Sequence, residues 1–147
     1  MDLRHTFLQH GRGLEWLTSS IILVFALVLA LPGDTLGASR SFSGFVGLGL
    51  DEGALIMPLT LLAAMRMAGL WINGNWRRSP YLRRWGAIMG AGIFASLAAM
   101  FAVPVLTGEQ AAITTGVGTY MVLAVFDILA AYRAAADVGI YRVSQRD

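Results

Sequence analysis

The chain has 147 residues, 56% of them hydrophobic and only 14% charged, with a mean hydropathy of +0.64. It contains no cysteine and no lysine; all 11 basic residues are arginine, and the formal net charge is +2. A soluble globular domain carries about 25% charged and roughly 45–50% apolar residues, so this chain has too little polar material to cover a soluble fold. Disulfides, thiolate metal sites and cysteine nucleophiles are excluded, and so small a net charge gives no reason to expect nucleic acid as a partner. At about 20 apolar residues per crossing helix, the length holds at most four or five membrane spans in one domain.

The two histidines, His5 and His10, lie in the polar N-terminal segment outside any apolar run. The spans therefore hold no histidine for haem, iron or zinc, and neither cofactor nor metal is expected. The first span covers residues 17–31, after Glu15 and Trp16, and is stopped by Pro32-Gly33-Asp34. Arg4 and Arg12 resemble the basic start of a signal peptide, but Leu36 stands where a cleavage site requires a small residue, so the segment reads as retained. Residues 32–53 form a long outer loop rich in glycine and serine. Within it, Phe42, Phe45 and Val46 have the spacing of a short half-helix lying on the membrane surface, with an irregular loop as the alternative.

The second span, residues 54–72, has Pro58 in its first turns and Arg66 well inside. An arginine-rich inner loop follows at 73–85, NGNWRRSPYLRRW, in which Ser79 and Pro80 read as helix cap and first helical residue. The third span, residues 86–106, is kinked or ended near Pro104. Thr107 and Gln110 have capping-box spacing and launch the fourth span at 111–132. A polar tail at 133–147 either continues that helix or leaves it.

Arginine placement sets the orientation. Nine of the 11 arginines lie in the N-terminal segment, the inner loop and the tail, against Arg40 alone in the opposite connections. All four tryptophans (Trp16, Trp71, Trp76 and Trp85) fall near the same side. The expected fold is all-α: an integral membrane four-helix bundle with both termini cytoplasmic, in a bacterial inner membrane.

Arg66 and Asp127 are the only ionisable residues well inside the spans, where charge is costly. Spans two and four run in the same direction, so at 1.5 Å per residue both side chains lie about 7–9 Å from the inner ends. They are expected to form an ion pair, serving to lock the helices or to line an ion or proton path. Glu15 is a candidate addition to this cluster; the alternative is that it complements a helix dipole. Asp51 and Glu52 before span two read the same way, with an outer cation site as the other reading. Arg77, Arg78, Arg83 and Arg84, with Trp76 and Trp85, form a loop suited to anionic headgroups or a cytosolic partner. Gly86 and Gly90 on span three and Ala112 and Gly116 on span four offer small-residue faces for helix packing, within one chain or between copies. No nucleophile is aligned with a base, so an enzyme is not expected.

The 23-residue stretch MRMAGLWINGNWRRSPYLRRWGA (Met65 to Ala87), together with AAYRAAADVG near the C-terminus, resembles small four-span membrane proteins of unknown function encoded in phages and prophages of proteobacteria. The resemblance implies an inner-membrane location and a role in a phage life cycle, such as lysis or superinfection exclusion. A holin-like protein that oligomerises and permeabilises the membrane is the first functional expectation. The others are an accessory or assembly subunit of a larger membrane complex, and a small channel or transporter using the Arg66–Asp127 pair.

Overall fold

A computed structural model describes residues 12–75 and 80–144. The elements are α1 (Arg12–Leu29), α2 (Thr35–Ala38), a 3-10 turn (Arg40–Phe42), α3 (Ser43–Gly47), α4 (Glu52–Asn75), α5 (Pro80–Leu106) and α6 (Thr115–Ser144). No strand occurs among the described residues. Four helices, α1, α4, α5 and α6, are long and apolar enough to cross a membrane.

Each long helix starts or stops for a local reason. The described part of α1 runs from Arg12, ahead of the apolar run, and Glu15, Thr18 and Ser19 continue the stripe that also buries Ile22, Ala26 and Leu29. It ends where Pro32 can no longer donate and Gly33 takes a φ of +140°. α4 starts at Glu52, where the backbone N–H of Ala54 donates to Asp51 Oδ1 at 2.7 Å. Pro58 is therefore further into the helix than the hydropathy pattern suggests, and the bond it would have made to the Ala54 carbonyl is forgone. α5 has Pro80 as its first described helical residue, as the Ser79-Pro80 pattern indicated, carries Tyr81 to Trp85 ahead of the apolar run, and ends two residues past Pro104.

The capping-box expectation for α6 fails. The Thr107 hydroxyl donates backwards to the Val103 carbonyl (3.0 Å), with the Pro104 carbonyl at 3.3 Å as the alternative acceptor, so it closes α5. The Gln110 N–H follows it to the Pro104 carbonyl at 2.9 Å, and the Gln110 side chain donates to Ser41 Oγ at 3.4 Å. With both residues committed to the end of α5, α6 begins only at Thr115. Ala112 is exposed in the connection, outside the helix on which the sequence reading placed it. Of the two readings of the polar tail, the helix continues, through Ser144.

The helices associate as two pairs. α5 and α6 share the most extensive contact, α1 and α4 the next, and α4 against α5 joins the pairs. The apolar core draws on both: Ile22 and Ala26 from α1, Leu62 and Ala63 from α4, Phe94 and Phe101 from α5. One end of this core is closed by the short helices. Phe45 is 3% exposed, with ring centroids of Phe45 and Phe42 at 5.9 and 5.2 Å from Phe101. This corrects the surface half-helix: the segment folds inward, and of its three apolar residues only Val46 faces out. Gly44 permits the approach, since a Cβ there would sit 2.5 Å from the Met100 carbonyl oxygen. Gly49, at φ +72°, ends α3 with its N–H on Val46 and that of Leu50 on Phe45, a left-handed helix stop that glycine adopts without strain.

Candidate functional site

Opposite the aromatic end, the interior is polar. Arg66 on α4 and Asp127 on α6 form a two-pronged ion pair, Nη1 to Oδ2 at 2.7 Å and Nη2 to Oδ1 at 2.9 Å, with side chains 3% and 1% exposed. The fork geometry matches guanidinium to carboxylate and gives direction as well as attraction. Thr18 on α1 completes it: its Oγ1 accepts from Arg66 Nη2 at 3.0 Å and donates to Asp127 Oδ1 at 2.9 Å. A second possible acceptor, the Glu15 carbonyl, lies at 3.2 Å. A hydroxyl has one proton, and the shorter path to an ionised acceptor takes it.

A second pair lies nearer the start of α1. Arg83 on α5 donates from Nε to both Glu15 carboxylate oxygens at 3.2 Å and from Nη2 to Oε1, with side chains 6% and 5% exposed. This corrects the assignment of Arg83 to an exposed headgroup loop. Its face of α5 turns inward, and the Glu15 carboxylate supplies the countercharge. Arg84 and Trp85, one and two residues on, are exposed. Trp76, Arg77 and Arg78 lie outside the described residues.

Glycines create the space for the first pair. A Cβ on Gly90 would overlap both Arg66 Nη1 and Asp127 Oδ2, and one on Gly86 would meet Arg66 Cγ at 3.3 Å. The small-residue face of α5 therefore seats an arginine side chain, whereas its spacing suggested backbone-to-backbone helix packing. Gly116 does serve packing: the Phe101 ring lies 3.4 Å from where its Cβ would stand. Between the two ion pairs is a cavity of about 10 Å³, the room of roughly one water, walled by Glu15, Arg66, Arg83, Gly69 and Gly86.

The polar region does not continue through the core. Beyond Asp127, Tyr120 is stacked between Phe94 (6.1 Å) and Phe101 (5.4 Å) and meets Phe25 edge-on at 6.0 Å. Among the described residues no group of three acidic, histidine or cysteine side chains is placed to hold a metal. Asp51 and Glu52 both cap helices: Asp51 Oδ1 accepts from the Ala54 N–H at 2.7 Å and Glu52 Oε1 from the Thr35 N–H at 2.6 Å.

Residue counting along the spans singled out Arg66 and Asp127, but it gave no signal for Thr18 or for the Glu15–Arg83 pairing. A threonine three residues after a carboxylate was the only hint, since i and i+3 share a helix face. No protein-family model matches this chain, and no curated protein or solved structure matches it either.

Proposed function

We propose that the chain is a non-enzymatic, multi-pass protein of a bacterial inner membrane, a four-helix bundle with both termini cytoplasmic, that acts by associating within the membrane. The observation carrying this reading is the contrast between its inside and outside. The buried carboxylates and guanidiniums are matched, acid to base, while Val24, Leu27, Met57, Leu61, Val125 and Leu129 face outward along three of the four long helices. Soluble monomers rarely expose contiguous apolar surface of this extent. α6 is the least enclosed, with 17% of its apolar stretch buried against 33% for α1 and α5, and it offers the largest surface to lipid or to another copy.

Exposed Trp71, Tyr81 and Trp85, with Arg84, lie near the ends of α4 and α5 on the side of the Glu15–Arg83 pair, and exposed Tyr132 and Arg133 lie near the end of the apolar stretch of α6. This supports placing that end at the anionic cytoplasmic interface. The resemblance to phage-encoded four-span proteins narrows the action to holin-like permeabilisation or superinfection exclusion. An accessory role in a larger membrane complex is the second reading, favoured by the closed core. The channel reading is weaker, because stacked Phe94, Tyr120 and Phe101 seal the path beyond Asp127.

Induced expression with a membrane-potential dye, followed by crosslinking in the native membrane, tests the proposal. Crosslinked multimers with abrupt depolarisation are the expected result. Growth without leakage, with a stoichiometric partner co-purifying, selects the accessory reading. Monomers without a partner overturn association altogether.

A further inference from the structure

The four buried charges are distributed in a way that pairing alone does not require. The α1–α4 pair of helices carries Glu15 and Arg66; the α5–α6 pair carries Arg83 and Asp127. Each helix pair thus holds one buried acid and one buried base, and its buried charges cancel. Yet both ion pairs run across the boundary, α1 to α5 and α4 to α6, and so does the bond from Thr18 to Asp127. Lipid gives apolar helix faces little reason to prefer one another over acyl chains, so such polar bonds decide how the halves dock.

We infer that these four residues form a partner-exchange latch, with a second pairing inside each half: Glu15 with Arg66, and Arg83 with Asp127. Glu15 and Arg66 already share the walls of one water-sized cavity. Glu15 is one turn from Thr18, which touches the Arg66 guanidinium at 3.0 Å. On the other side, Arg83, Gly86 and Gly90 follow one another at i, i+3 and i+7 along one face of α5. That groove is filled by the Arg66 side chain, with Asp127 at its far end. When Arg66 withdraws, the groove opens between Arg83 and Asp127. The halves then part without leaving an uncompensated charge in lipid, the term that otherwise holds such a network shut. This device gives the proposed association a means to open the protein, and it rests on the membrane-embedded reading. That reading fails separately, if the full chain is recovered outside the membrane fraction.

Charge swaps test the latch in the full chain. Glu15→Arg with Arg83→Glu keeps both cross-boundary pairs attractive but makes each half like-charged, which forbids the second pairing. Adding Arg66→Asp and Asp127→Arg restores an acid and a base to each half. Opening is read from the thiol reaction rate of Ala87→Cys, a cavity-lining position 2% exposed, in a chain with no native cysteine. The two-residue swap is expected to slow labelling at least tenfold or to lower accumulation in the membrane, and the four-residue swap to return both to within twofold. The alternative two-residue swap, Arg66→Asp with Asp127→Arg, is expected to match the first. Unchanged or faster labelling with normal accumulation in the two-residue swaps overturns the inference, as does failure of the four-residue swap to restore.

Discussion

The interior has two halves built on opposite principles. Around Thr18, Arg66, Asp127, Glu15 and Arg83, contacts are few, directional and charged; around Phe45, Phe94, Phe101 and Tyr120 they are many, apolar and ring-on-ring. The aromatic half tolerates small displacements, because a ring shifted by a fraction of an ångström keeps most of its dispersion energy. The polar half does not, since an ionised group without its partner in a low-dielectric setting loses several kcal/mol. Specificity therefore resides at the charged end, and the other end contributes bulk cohesion.

The largest expected effect comes from unbalancing the charged half. Asp127→Ala strands the Arg66 guanidinium at a site with 3% exposure, at a cost of about 3–5 kcal/mol; loss of folded protein in a detergent thermal melt would show it. Arg66→Ala in the same background should recover part of that loss, and no recovery would mean that the two residues are not energetically coupled. In the aromatic half, Phe94→Ala empties a fully buried site. A loss of about 3 kcal/mol is expected, at the low end for such truncations because apolar transfer contributes little in lipid. A loss equal to that of Asp127→Ala would erase the distinction between the halves.

Gly90→Ala is a smaller and sharper probe. The added methyl overlaps both members of the ion pair, and about 1–3 kcal/mol of destabilisation is expected. Gly92→Ala on the same helix meets open space and should be neutral or slightly stabilising. The smallest of the four destabilising effects belongs to Thr18→Val, which removes the hydroxyl that bridges Arg66 and Asp127 but leaves their two direct bonds; a loss of about 1 kcal/mol is expected. The same melts, run side by side, rank all four.

The helices were legible because hydropathy integrates over about 20 residues and tolerates local error. Two of their starts were not, since they depend on single contacts: the Thr107 hydroxyl turning back onto Val103 delays α6, and Asp51 capping Ala54 moves α4 upstream. The depths of Arg66 and Asp127 could be counted from the spans, as both lie on helices running the same way. Arg83 was not legible in the same manner. It stands in a run of four arginines among aromatics, and nothing local distinguishes the one that turns inward from Arg84, which stays out. The glycine groove was visible as a motif but its occupant was not, because small residues record only that something approaches closely.

Neutrality of the charged end has an electrical consequence. A membrane potential performs about 2.3 kcal/mol of work per 100 mV on each elementary charge carried across the bilayer. Arg66 and Asp127 occupy the same depth and cancel, as do Glu15 and Arg83, so displacing the closed assembly along the field transports no net charge. The partner exchange proposed above, between buried charges that cancel within each half, would transport little more. A membrane potential is thus nearly silent to these two pairs, and the latch proposed above has to be opened through chemistry or contact.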